Sequence, residues 1–188
     1  MVPLNIPNAL TMLRILMVPV VVVALLAEIP NGDLVAGIVF ALAALTDGLD
    51  GYIARRRDDV TTFGKLMDPL ADKLLIVAAL VSLVALGRLQ AWIAMVIIAR
   101  ELAVTGLRAV AVEEGVVISA SWLGKVKTAL QVAAIIALIA VDPATTAVDV
   151  LVYAAVVATV VSGADYFFGV RRRIERERSS GRTEAGSA

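Results

Sequence analysis

This 188-residue chain contains neither cysteine nor histidine. The first absence removes disulfides, thiolate nucleophiles and Cys-ligated metal sites. The second removes imidazole acid–base chemistry and His-ligated zinc, so a metal held by protein groups must sit on oxygen donors, which suit Mg2+ or Mn2+. Charged residues are scarce at 18% and aromatics scarcer at 5%, whereas 60% of the chain is hydrophobic. Soluble domains run at about 45–50% apolar and about 25% charged, so both departures point to lipid. Acidic and basic residues cancel to a formal net charge of zero. That says little about partners, beyond giving no reason to expect nucleic acid.

What is present is long apolar sequence. Stretches of roughly the 20 residues needed to cross a bilayer lie near 8–27, 34–55, 66–87, 90–112, 123–141 and 146–169. Polar punctuation such as "EIPNGD", "GRLQ" and "VDPATT" separates them. The expected fold is therefore all-α: a polytopic membrane protein of six transmembrane helices. Residues 1–170 form one membrane unit, and 171–188 form a polar tail that is partly disordered. Arg55, Arg56, Arg57 and Lys65 follow the second stretch, Lys125 and Lys127 open the fifth, and Arg171, Arg172 and Arg173 open the tail. Basic residues gather on the cytoplasmic side, so six spans with both termini cytoplasmic satisfy every connection. The first stretch lacks a basic leader and a small-residue cleavage site and is not read as a signal peptide. A multi-pass protein of a prokaryotic inner membrane is the expected setting, with Trp92, Trp122, Tyr153, Tyr166, Phe167 and Phe168 as interface anchors.

Against this background "TDGLDGYIARRRDDVTTFGKLMDPLADK", residues 46–73, is anomalous. If the second span ends near Arg55, Asp47 lies roughly 12 Å inside it at 1.5 Å per residue. A charge at that depth costs at least about 2.5–3.5 kcal/mol unless it faces a cavity or finds a partner. Asp47 and Asp50 are three apart and Asp68 and Asp72 four apart, so each pair projects from one face of its helix. Four ionised carboxylates in one dry pocket repel one another unless positive charge is supplied, and divalent cations would supply it. Carboxylate clusters of this kind are the usual protein part of two-metal phosphoryl-transfer sites. Gly48, Gly51 and Gly64 leave bare backbone beside them, where a bulky anionic group could approach.

Asp47, Asp50, Gly51, Ala54, Arg55, Gly64, Asp68 and Asp72 match without a gap the pattern D-x-x-D-G-x-x-A-R-x8-G-x3-D-x3-D. In this the chain resembles the CDP-alcohol phosphotransferase family. The resemblance implies six membrane helices, a homodimer, and transfer of a phosphatidyl-type group from a CDP-linked lipid to an alcohol with release of CMP. It also implies Mg2+ or Mn2+, two ions, held by Asp47, Asp50 and Asp68, with Asp72 a further ligand or the general base. Gly51, Ala54, Arg55 and Gly64 would meet the nucleotide-lipid. "NIPNALTMLRILMVP", "ARELAVTGLR" and "GKVKTALQ" are similar to the branch of that family that makes phosphatidylglycerolphosphate. That branch implies CDP-diacylglycerol as donor and sn-glycerol 3-phosphate as acceptor, among membrane lipids.

A phosphomonoester acceptor needs cations of its own. Arg14, Arg100 and Arg108 lie on apolar spans, where an unpaired guanidinium is costly, and Lys125 and Lys127 begin the fifth span. These five are the candidate acceptor-phosphate residues, Arg being suited to bidentate contact and Lys to point charge. Arg100 and Arg108 differ by about 80° around a helix and can line one cavity. Lys125 and Lys127 differ by about 200°, so one of them is expected to face inward. Blander readings exist for each: Arg100 paired with Glu101, the others as cytoplasmic anchors, Asp47 and Asp50 as partners of Arg55 or Arg56. The alternatives left open are myo-inositol phosphate, serine, inositol or phosphatidylglycerol as acceptor, a prenyltransferase, and an ion or proton transporter.

Overall fold

The computed structural model describes residues 6–27, 29–57, 62–113 and 122–185, with side chains described except at 6–8, 47–57, 62–69, 72, 113, 171 and 173–185. Six α-helices make up nearly all of it: α1 (Ile6–Leu26), α2 (Gly32–Arg57), α3 (Thr62–Ala85), α4 (Ala91–Glu113), α5 (Trp122–Ala140) and α6 (Thr146–Ala185). Each coincides with one of the apolar stretches, and α6 carries on past its apolar part into the polar tail.

Helix ends follow local chemistry. Gly87 takes φ 71°, which a residue without Cβ adopts at no steric cost. The Gly87 amide bonds the Val84 carbonyl and the Arg88 amide bonds that of Leu83, both at 3.0 Å, closing α3 in a Schellman turn. Asn31, at φ 57°, precedes α2 and accepts the Val35 amide at 3.0 Å. Gly32 follows because a Cβ there would sit 2.3 Å from the Ala24 carbonyl oxygen, so the start of α2 presses on the end of α1. Pro19 lies inside α1, where its ring removes the amide that would bond the Ile15 carbonyl.

The packing is that of a membrane bundle. α1 lies along both α2 and α3, α5 along α6, α4 against α6 and α2 against α5, while α2 and α3 touch each other sparsely. The buried core uses small side chains at helix crossings, among them Ala24, Ala36, Ala43, Ala79, Ala94 and Ala155, with Phe40, Leu75, Leu80 and Leu83 filling between them. Large apolar residues face outward instead: Leu16, Leu34, Leu45, Met95, Val150 and Val157 are all more than half exposed. Such a surface belongs against hydrocarbon. Among the described residues, Ala9–Leu26, Trp122–Ala140 and Thr146–Val170 are long and apolar enough to cross a bilayer, and Gly32–Thr46 and Lys73–Ala85 are apolar. α4 is interrupted by Arg100, Glu101 and Arg108.

At one end of the bundle Arg88, after α3, bonds Asp33 of α2 at 2.9 Å and Asp142, after α5, at 3.0 Å. It also donates to the Ile139 carbonyl at 3.4 Å. The Asp33 hydrogen bond, working against burial, holds the Arg88 guanidinium above its already high pKa. Gly32→Ala is expected to lower the melting temperature of detergent-solubilised protein by several degrees. Gly37→Ala, whose Cβ meets only Ile139 at an ordinary 3.6 Å, is the neutral comparison.

Candidate active site

Away from the Arg88 latch, a cavity of about 900 Å³ opens between α2, α4, α5 and α6. On α4 its lining falls at Glu101, Val104, Thr105 and Arg108, one face of a helix at i, i+3, i+4 and i+7, with Arg100 beside them. α5 contributes Lys125 and Lys127, α6 contributes Ser162 and Tyr166 at i and i+4, and α3 contributes Lys73. Among the described lining residues, five are cations and Glu101 is the one carboxylate.

The charged groups are tied across three helices. Glu101 Oε1 accepts from Arg100 Nη1 at 3.2 Å and from the Lys127 ammonium. Arg100 Nη2 donates to Ser162 Oγ at 3.0 Å, and Ser162 Oγ donates to the Thr159 carbonyl at 3.1 Å. The Arg100 stem lies over the bare backbone of Gly163, where a Cβ would come within 3.1 Å of Arg100 Cγ. Arg108 sits over the Tyr166 ring, 5.8 Å from its centroid. Thr105 Oγ1 donates to the Glu101 carbonyl at 2.7 Å, absorbing its hydroxyl locally. Lys127 is 4% exposed, and a cation that deep in an apolar bundle persists only beside counter-charge or in a polar cavity.

The structure thus brings four of the five expected basic residues, Arg100, Arg108, Lys125 and Lys127, around one cavity. It also distinguishes the two lysines: Lys127 is buried and Lys125 is exposed at the rim. Arg14 is elsewhere. It is buried on α1, whose neighbours are α2 and α3, and does not line this cavity. Asp165 on α6, considered for the bundle interior, is exposed.

Asp47, Asp50, Gly51, Ala54 and Arg55 belong to α2, and Gly64, Asp68 and Asp72 to α3, but their side chains lie outside the described residues. The cavity nevertheless reaches both helices next to the pattern, at Ala44 and Leu45 of α2 and at Lys73, the residue after Asp72. Among the described residues no three metal-ligating groups stand together. The donor set these two helices offer is carboxylate only, which fits a hard, oxygen-seeking dication.

Residues 4–161 match the family model described as CDP-alcohol phosphatidyltransferase. The chain belongs to this family. It is 43% identical over 180 residues to the CDP-diacylglycerol--glycerol-3-phosphate 3-phosphatidyltransferase of Bacillus subtilis, covering 87% of this chain and 93% of that protein. It is also 43% identical over 167 residues to a probable phosphatidylglycerophosphate synthase of Mycobacterium tuberculosis, covering 86% of this chain and 79% of that one. A CDP-diacylglycerol--glycerol-3-phosphate 3-phosphatidyltransferase of Rickettsia bellii is 34% identical over 169 residues, covering 87% and 93%.

Sequence reasoning missed Lys73, Ser162 and Tyr166 as lining residues of this cavity, and met Glu101 only as a bland partner for Arg100. Lys73 had a usable signal, a cation directly after Asp72 at the edge of an apolar run. Ser162 had none, since a hydroxyl on an apolar helix reads as packing, and Tyr166, read from the sequence as an interface anchor, is instead buried at 7% exposure beside Arg108. With Lys127 buried and Lys125 at the rim, Lys127→Met is expected to lower CMP release from a CDP-linked lipid about tenfold or more, the scale of a lost charged hydrogen bond. Lys125→Met should cost only a few-fold, and equal losses would contradict this ranking.

Proposed function

We propose that the chain transfers the phosphatidyl group of CDP-diacylglycerol to sn-glycerol 3-phosphate, giving phosphatidylglycerol phosphate and CMP. The observation that carries this reading is that, among the described residues lining the cavity, Lys73, Arg100, Arg108, Lys125 and Lys127 outnumber Glu101. A phosphomonoester dianion matches cations gathered in this way. The names of the relatives from Bacillus subtilis and Rickettsia bellii specify the same pair of substrates.

In this reading six helices span a prokaryotic inner membrane with both termini and the site on the cytoplasmic side. Residues 1–170 form the catalytic unit, 171–188 form a polar tail, and two chains associate as a homodimer. Asp47, Asp50, Asp68 and Asp72 hold two Mg2+ or Mn2+ ions, which when bound neutralise the donor's pyrophosphate and polarise its oxygens. Gly51, Ala54, Arg55 and Gly64 receive the nucleotide end of the donor, its acyl chains remaining in the lipid. Arg100, Arg108 and Lys127 fix the acceptor phosphate, with Lys125 at the rim. Arg14 supports the aspartate helices from α1. Asp72 takes the proton of the acceptor's primary hydroxyl. That oxygen attacks the β-phosphorus in line, forming the new P–O bond as the bond to CMP breaks and CMP leaves with the electron pair. Positioning two anionic reactants is the main task of the protein.

The deciding experiment incubates purified protein with CDP-diacylglycerol, divalent cation and, in turn, sn-glycerol 3-phosphate, myo-inositol phosphate, serine, inositol and phosphatidylglycerol, identifying products by mass. Phosphatidylglycerol phosphate is the expected product, and preference for another acceptor overturns the reading. Asp72→Asn is expected to lower turnover by about 10²-fold or more, the scale of a lost general base, while CDP-diacylglycerol still binds. Asp47→Asn should move the Mg2+ or Mn2+ concentration needed for half-maximal rate upward; an unaltered titration argues against ligation.

A further inference from the structure

We infer that Glu101 is a positioning residue that holds Arg100 and Lys127 together as a single phosphate cradle. The inference rests on the acceptor reading above and adds a residue to it. Arg100 is on α4 and Lys127 on α5, and as like charges they repel one another. One carboxylate oxygen, Glu101 Oε1, accepts from both. That shared oxygen cancels one of the two charges and keeps the two nitrogens within the span of one small anion. Two further contacts set the direction of Arg100. Ser162 Oγ takes its other terminal nitrogen at 3.0 Å, and Gly163 leaves the space its stem crosses. Both are on α6, just past the segment 4–161 that matches the family model.

The geometry distinguishes a positioning role from a plain ion pair. Glu101 and Arg100 side chains are each 15% exposed and Lys127 is 5%, so the group is sheltered from bulk water and its charges are weakly screened. All three residues line the same cavity, so the triad forms part of the wall a ligand would meet. The triad keeps one net positive charge, to which Arg108, Lys125 and Lys73 add around the cavity. An uncompensated cluster of that size would bind any anion. A fixed carboxylate inside it restricts strong binding to a group able to use the remaining donors in their imposed arrangement.

The test measures kinetics of purified Glu101→Gln in detergent, varying sn-glycerol 3-phosphate and CDP-diacylglycerol separately. KM for sn-glycerol 3-phosphate should rise about tenfold or more, as expected for loss of a charged hydrogen-bond acceptor, with kcat and KM for CDP-diacylglycerol nearly unchanged. Glu101→Asp, which keeps the charge on a shorter stem, should recover part of the loss. An unchanged or lower acceptor KM, or equal rises for both substrates, overturns the inference. Should Glu101→Gln fail to fold, Ser162→Ala decides: it leaves the Glu101–Lys127 contact and should raise only the acceptor KM, and no change there overturns the inference. A wild-type enzyme that releases no CMP with sn-glycerol 3-phosphate refutes the acceptor reading instead.

Discussion

Charge kept inside an apolar bundle is the constraint on which the rest of this structure depends. Arg100, Glu101 and Lys127 sit on helices whose outer faces are apolar, and a lone charge on such a helix is costly. Their solution is mutual: one carboxylate between two cations, with Ser162 completing the set. Similar accounting explains the alanines interspersed among the leucines, isoleucines and valines of the core. Helices must approach closely for a short Glu or Ser to reach a neighbour, and small side chains permit that approach. Other leucines and valines face outward, where lipid accepts them.

The same constraint explains which helices look like spans. Among the described residues α1, α5 and α6 hold long apolar runs, whereas the sequences of α2, α3 and α4 carry charged residues within or beside theirs. α2 and α3 bear the aspartate pattern, and α4 bears Arg100, Glu101 and Arg108. Apolar α5 and α6 still contribute buried polar residues, among them Lys127 and Ser162, which bond Glu101 and Arg100 of α4. Function in this family is therefore carried by departures from the hydrophobic pattern, and structure by the pattern itself.

Much of this was legible in the linear chain. Helix positions followed from apolar length and punctuation, because a bilayer leaves the backbone few alternatives. The placement of Arg100 and Arg108 on one cavity followed from eight residues of helical rotation. Which lysine turns inward did not follow, since two positions about 200° apart are symmetric until a partner on another helix is known. Glu101 supplies that partner from 26 positions away. Arg14 lies apart from the other four: it is buried on α1, which packs on α2 and α3, and does not line this cavity. Ser162 was illegible because its role exists only once α4 and α6 are side by side.

The latch formed by Arg88, Asp33 and Asp142 joins the start of α2, the turn after α3 and the loop after α5. Those are three of the bundle's chain reversals, clamped at one rim by ionic contacts. With one rim clamped, the opposite rim, where the cavity meets the start of α5, is the freer to flex.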